Sequence, residues 1–457
     1  MARRDRPRGA RPNLARIAFL AGAAVLLYAA GAITVRYRLP PYPAINDAIA
    51  QVKTVLDYKQ TRLPWQFFRD DAAPAERMVV HDAARVMPGA TMVSAFTLDE
   101  ETHDVSVVAP SGEVIQNWRL RWDALWQGAT AHIPPEVMAR PQKHLHGAKI
   151  AANGDLIFNF TELALFRVDA CGRKVWQLDR RTHHSVDLDA DGSIWVPGLY
   201  TRHEPVAELP NHAPNFEEFT LLHVSPEGRV LKEIPIDRLL MREGYGGLLY
   251  LSTLNEQSTL VSGDILHMND AEVFPAGMTP GVFRPGDVLI SLRNINTVLV
   301  IDPEAEQIRF ISTGRVLRQH DADFLDGNTI AVFNNNMLLD SWFDNASGRR
   351  GSQGQRSDVT IIDARADEVL SRFDGGETPF FTDLMGQQQI LANGNILVTE
   401  ARGGRLIEFA PDGSVVWEYD NILDPEAHLL GAITAAERLP PAMDAAFFAA
   451  ARARCGG

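Results

Sequence analysis

At 457 residues, with 46% hydrophobic and 22% charged side chains, the chain has the make-up of a globular protein with a sizeable core, which excludes a disordered or fibrous polymer. Residues 1–38 carry eight Arg against one Asp, so the net charge of −14 leaves −21 on the remainder. A body that acidic is a poor nucleic-acid binder and meets an anionic substrate only through a local cationic pocket.

The N-terminus reads separately. MARRDRPRGARPNLAR (1–16) holds six arginines and is followed at 17–35 by nineteen residues without a charge. At about 1.5 Å rise per residue, that run spans a hydrocarbon core. A cleaved signal peptide has a shorter apolar region and a small-residue cleavage site, whereas Arg36-Tyr37-Arg38 follows here at once. The expectation is a cytoplasmic tail at 1–16, a single-pass inner-membrane anchor at 17–35 and a juxtamembrane stalk at 36–84, with the C-terminal domain in the periplasm. Ile45, Ile49, Val52, Val55 and Leu56 predict a short helix in the stalk.

From about residue 85 the pattern is β. HLHGAKIAANGDLIFNF (144–160), HHSVDLDADGSIWVPG (183–198), RQHDADFLDGNTIAVFNNN (318–336) and GQQQILANGNILVTEA (386–401) share one form. Each sets a polar residue, usually His, before an apolar alternation, a turn of Gly beside Asp or Asn, and a second strand. A further strand pair recurs at 105–118, 165–178, 221–234, 297–311, 359–373 and 405–419. Two pairs make a four-stranded unit. The fold expected is all-β, a six-bladed β-propeller over 85–424, with an N-terminal transmembrane helix and a short C-terminal helical segment over 425–457. The first blade begins without a Gly turn (91–100), and the fourth joins 264–274 to 286–293 through a long linker. Insertions fall at 199–220, at 235–260 with a helix, and at 337–357. An oxidising exterior would permit Cys171 and Cys455 to pair, but their sequence positions do not decide it.

In a propeller the first strand of each blade lines the central channel, so residues at its start converge. That geometry directs His146, His184, His267 and His320 to one space. Histidine is a neutral nucleophile, a general acid or a metal ligand near neutral pH. A metal site would pair neutral imidazoles with carboxylates such as Asp270, Asp321 or Asp323. No ligand spacing here is diagnostic, and neither a metal nor another cofactor is expected. Group transfer needs a nucleophilic His, a second His as acid or base, and a cation for anionic oxygens. Arg293, ending the second strand of the fourth blade, could supply that cation.

His267-Met268-Asn269, Ser-x-Arg in SLRNINTVLVID, Gln-His-Asp-Ala with FNNN in 319–336, QQQILANGNILV and ITAAERLPP (433–441) together resemble the bacterial arylsulfotransferases. These are periplasmic six-bladed propellers, and the resemblance covers roughly 85–440. It implies sulfuryl transfer from an aryl sulfate to a phenol through a sulfated histidine, without a nucleotide donor. It also implies that His320 is that histidine, that His267 and Asn269 assist at the leaving oxygen, and that Arg293 clamps the sulfate. His184 falls where another channel histidine lies. The chain departs from the family in its membrane anchor and in HMND, where an aromatic-flanked His-x-Asn is more usual.

A second reading is a non-catalytic, membrane-anchored propeller that acts as a binding or assembly module, with a membrane-protein partner or a second copy of itself. A metal-dependent hydrolase or lyase on the same histidines is a third.

Overall fold

The computed structural model describes residues 14–36, 66–69, 76–99, 102–140, 143–251, 261–337 and 355–456. The chain divides into two compact units, Met1–Pro64 and Trp65–Gly457. In the first, a helix covers Leu14–Arg36, over the apolar run. Among the described residues no helix is long and apolar enough to cross a membrane, so a span at 17–35 is not established. The short helix expected near residues 45–56 lies outside the described residues, as does most of the insertion at 337–357.

The second unit is all-β apart from a few short helices. Six sheets follow one another, each with four antiparallel strands, the third adding Val261–Asp264 in parallel and the sixth adding Met78–Val80 at its outer edge; the inner strands are Ile433–Arg438, Leu145–Ile150, Asp187–Leu188, Met268–Val273, His320–Phe324 and Gln387–Ile390. Each of the six outer strand pairs read from the sequence forms the outer half of one sheet.

Strand alternation sends successive side chains to opposite faces, and here both faces are buried. Phe158 packs toward the first sheet and its neighbour Ile157 toward the third. Ile290 and Leu289 divide between the third and fifth sheets in the same way. Six apolar clusters result, each between two neighbouring sheets, and the last joins the sixth sheet to the first. The arrangement is propeller-like and closed.

Closure is where the sequence misleads. Residues 425–457 are mostly not helical. Strands run at Ile422–Asp424, Leu429–Gly431 and Ile433–Arg438, and the helix is confined to Ala445–Ala453. The Ala-rich segment Ile433–Arg438 pairs with Thr91–Phe96 and gives the first sheet its inner strand. Tertiary pairing overrides the helical propensity of Ala and Glu. The inner strand of this sheet therefore comes from the far end of the unit and not from the residues just before Thr91.

The inner strands also bind one another in series. The side chains of Ser185 and Asp187 accept hydrogen bonds from the backbone of Ala271 and Val273, at 2.9 Å each. Asp270 and Glu272 accept from Ala322 (2.7 Å) and Phe324 (2.8 Å). Asp321 accepts from Gln388 at 2.7 Å, and Gln387 and Gln389 accept from Ala436 (3.0 Å) and Arg438 (2.7 Å). An inner strand has an unpaired edge, and these acceptors satisfy its otherwise orphaned N–H groups.

Cys171 and Cys455 form a disulfide, with Cα atoms 6.4 Å apart. It ties the turn beyond the C-terminal helix to the second sheet.

Candidate active site

The inner strands begin irregularly. Register shifts fall between Leu145 and Ala148, between Met268 and Asp270, and between His320 and Ala322. A bulge takes its residue out of the ladder and re-aims the side chain. His184 (φ 52°), His267 (φ 49°), Arg318 (φ 58°) and Asp321 (φ 35°) have left-handed backbone. For non-glycine residues that costs about 1–3 kcal/mol each, and such outliers gather where the surrounding structure over-determines them. Gly147 is required by the approach of its neighbour, since a Cβ there would sit 2.3 Å from the His184 carbonyl oxygen.

All four channel histidines meet. The His146 and His184 rings lie 3.6 Å apart by centroid, and His184 is 5.7 Å from His320. His184 Nε2 is 3.0 Å from His267 Nε2. A fifth, His183, stands 4.0 Å from His184 and 4.8 Å from His267 by ring centroid. The His-His pair at 183–184 was its only sequence signal.

His320 is the best defined. Its Nδ1 lies 2.7 Å from Asn335 Oδ1, while the Asn335 amide nitrogen donates to the carbonyls of Thr382 (2.9 Å) and Met385 (2.8 Å). Asn335 therefore offers His320 an acceptor, Nδ1 carries the proton, and Nε2 keeps its lone pair. That Nε2 is buried and has no hydrogen-bond partner. It faces a cavity of about 20 Å³ lined by His146, His184, Asn269 and Met385, enough for one water-sized group. Asn335 was visible only as part of the FNNN stretch.

Burial, followed by the charge of Arg293, holds the His320 pKa down at about 3. His184 and His267 are held well below the ordinary value, first by burial and then by the neighbouring imidazoles and, for His267, by Arg293. All three are neutral at pH 7. Asp264 contacts His267 Nδ1. Burial raises the Asp264 pKa, and its carboxylate oxygen is placed to accept the Nδ1 proton. The Nε2 of His267 then faces the cluster as an acceptor.

Two guanidinium groups stand beside the histidines. Arg293 and Arg318 both donate to Asn294 Oδ1, at 3.3 and 2.7 Å. Burial lowers the Arg293 pKa to about 10, with Arg318 as the next cause. Among the described residues neither has a carboxylate within 4.0 Å. Half-buried cations that feel Asp264 but make no ion pair with it suit an anionic ligand.

Asn269, like His320, lines the cavity. Its amide nitrogen donates to the Gln319 carbonyl at 2.8 Å, which fixes the backbone just before His320. The Oδ1 is buried without a partner, so toward the cavity Asn269 is an acceptor. Asp270 and Asp321, weighed as metal partners, are instead acceptors for backbone N–H groups, and Asp323 takes a 3.1 Å bond from Gln388. Asp321 and Asp323 line a cavity with Lys149, while Asp270 and Asp321 line the cavity of the histidines. One ring nitrogen each from His183, His184 and His267 does fall within 4.8 Å of the others.

Among solved structures, the fold is similar to a protein of unknown function from Bacteroides caccae, at 13% identity and a TM-score of 0.45, covering 77% of this chain and 98% of that one. It is similar to the WD40 β-propeller domain of Doa1 at 12% identity and a TM-score of 0.38 (72% and 86% covered). Streptogramin B lyase gives 9% identity and a TM-score of 0.38 (76% and 88% covered). No curated protein matches the sequence. The model of one protein family, arylsulfotransferase (ASST), matches residues 147–422, more than half of the chain and every channel histidine but His146. On that match the chain belongs to the arylsulfotransferase family.

Proposed function

We propose that this chain moves a sulfuryl group from an aryl sulfate ester to a phenol through a covalent intermediate on His320. One observation carries the reading. The Nε2 of His320 keeps a free lone pair, fixed by Asn335, in a buried cavity within the field of two arginines. A neutral, unsolvated imidazole nitrogen of fixed tautomer is a competent nucleophile.

In the first half-reaction the Nε2 lone pair forms an N–S bond as the S–O bond to the aryl group breaks, and phenoxide leaves. Arg293, with Arg318 beside it, balances the charge on the sulfuryl oxygens, as cations do in phosphoryl transfer. In the second, the acceptor phenol attacks sulfur, the N–S bond breaks, and its proton passes to His267 Nε2. That proton goes to the next leaving phenoxide, so the cycle balances. Asp264 orients His267 as the third member of a triad does. While both rings are neutral, His184 Nε2–H donates to His267 Nε2 at 3.0 Å and so holds that ring. Asn269 acts through the backbone of His320 as a positioning residue.

The anchor belongs to this proposal too. The uncharged run at 17–35, with arginines on both sides, supports a single-pass inner-membrane protein whose second unit faces the periplasm. An oxidised Cys171–Cys455 pair agrees with export.

The test is mass spectrometry of the protein after exposure to an aryl sulfate without acceptor. His320 should gain about 80 Da, the mass of SO₃ retained as a covalent intermediate. His320→Ala should lose both adduct and turnover with its melting temperature little changed. An adduct elsewhere, or an active His320→Ala, would overturn the assignment. No adduct and no turnover across a broad donor and acceptor panel would favour the non-catalytic module.

A further inference from the structure

We propose that His183, His184 and His267 together bind one divalent transition ion, of the zinc, copper or cobalt class, and that this ion competes with the aryl sulfate for His267. The second half of this rests on the sulfuryl-transfer reading. The first does not.

The donor set is three imidazoles whose nearest ring nitrogens all lie within 4.8 Å of one another. The closest pair, Nε2 of His184 and of His267, is 3.0 Å apart. Two nitrogens bound at about 2.0–2.1 Å to one ion stand on the order of 3 Å apart, so this edge of the site is already at binding distance. Nitrogen-only donors select borderline transition ions over calcium or magnesium. His267 also has the support that metal-bound imidazoles carry: its other ring nitrogen contacts Asp264, which holds the proton on Nδ1 and leaves the lone pair on Nε2.

Without an ion the cluster is poorly satisfied. The Nδ1 of His183 is buried and partnerless, and a buried polar atom left so costs about 1–3 kcal/mol. His183 has no part in the sulfuryl transfer described above, so its presence among the other rings is otherwise unexplained. The two residues whose Nε2 atoms lie closest, His184 and His267, both have left-handed backbone. Arg293 and Arg318 oppose a dication, while Glu162 and Asp264 act on His183 in the favourable sense. The balance points to reversible binding. The other cluster of possible ligands, Asp169 with Cys171 and Cys455, is closed to metals because its sulfurs are joined.

Full-length protein stripped with a chelator should take up one equivalent of Co²⁺, read from the visible absorption of a nitrogen-ligated, low-coordinate ion. His183→Gln and His184→Gln should each weaken uptake at least about tenfold, and Asp264→Asn about 10–100-fold, as loss of a supporting carboxylate does. His320→Gln should bind as the wild type does. Circular dichroism melts of the apo-variants separate a lost ligand from a lost fold, and His183→Asn serves if the Gln variant melts early. Zn²⁺ should inhibit sulfuryl transfer, with relief as the aryl sulfate is raised. Absence of saturable Co²⁺ uptake, or uptake that ignores His183→Gln, overturns the site. Inhibition that excess donor does not relieve overturns the competition. If no sulfuryl transfer occurs at all, that reading and the competition fall together, while Co²⁺ uptake still decides the metal site.

Discussion

His320 and Asn335 show what one hydrogen bond does to an imidazole. Asn335 turns its oxygen toward Nδ1 because its nitrogen is held by two carbonyls, and the Nε2 lone pair follows from that. Burial and Arg293 then hold the imidazole pKa at about 3, against an ordinary 6.5. A group so depressed is neutral above that value, and protonation disarms it only as pH falls toward 3. Adduct formation with a donor whose leaving group is already acidic, such as a nitrophenyl sulfate, should be flat within about twofold from pH 8 to pH 5. Rapid-quench mass spectrometry checks this. A tenfold loss per pH unit below 6.5 would mean an ordinary, solvated histidine and would sink the nucleophile assignment. At this scale the sequence was legible for His146, His184, His267 and His320, since each opens a recurring strand pattern. It was not legible for the residues that orient them. Asp264 lies three residues from His267, and Asn335 fifteen from His320, with nothing in spacing to mark either.

The inner strands explain why a channel through an acidic protein carries so many carboxylates. Asp187, Asp270, Glu272 and Asp321 each accept a backbone N–H from the next sheet. Burial, with Asp323 as a further cause, raises the Asp270 pKa to about 7. A carboxyl raised in the folded state favours folding below its unfolded value near 4, and that contribution is lost as pH rises through about 7. Asp270→Asn keeps the acceptor and removes the titration. Its melting temperature should gain on the wild type between pH 5 and pH 8, by a margin worth about 1–3 kcal/mol at the upper end. Asp270→Ala should lose stability at both pH values, because Ala322 N–H is orphaned. Equal pH profiles for wild type and Asp270→Asn would refute the buried acid. The elements themselves were largely readable. Asn153-Gly154, Asp191-Gly192 and Asn393-Gly394 each place a glycine in left-handed backbone between two strands, as the turn requires. Gly327 differs: it is needed because residues 279–281 pass so close that a Cβ would lie 2.3 Å from the Gly281 nitrogen. Sequence alone shows the glycine and not which of these reasons holds.

For the whole second unit, closure decides stability, and the two ends of the chain supply it jointly. Ile433–Arg438 is the inner strand of a sheet whose other strands begin at Thr91. Its last residue, Arg438, is buried, bonding Thr91 Oγ1 at 3.0 Å and Glu408 Oε2 at 2.9 Å, which locks the first sheet to the sixth. Beyond it, the helix Ala445–Ala453 packs Phe448 against Trp118, and the disulfide fastens its end to the second sheet. The ring closes at Arg438, before the helix begins, so two truncations should behave differently. Removing residues 444–457 deletes the helix and half the disulfide but leaves all six sheets complete. Together with Cys171→Ser it should cost several kcal/mol, about 2–4 of them from the cross-link, and still give one cooperative transition. Removing residues 433–457 takes the inner strand as well, bares the edge of Thr91–Phe96, and leaves the apolar face between the sixth and first sheets unfilled. That protein should fail to reach a closed fold, with a broad, low-temperature transition and rapid proteolysis near residue 90. Calorimetry and limited proteolysis of the two truncations decide the matter. Matching cooperative melts would show that the six sheets stand without their shared strand.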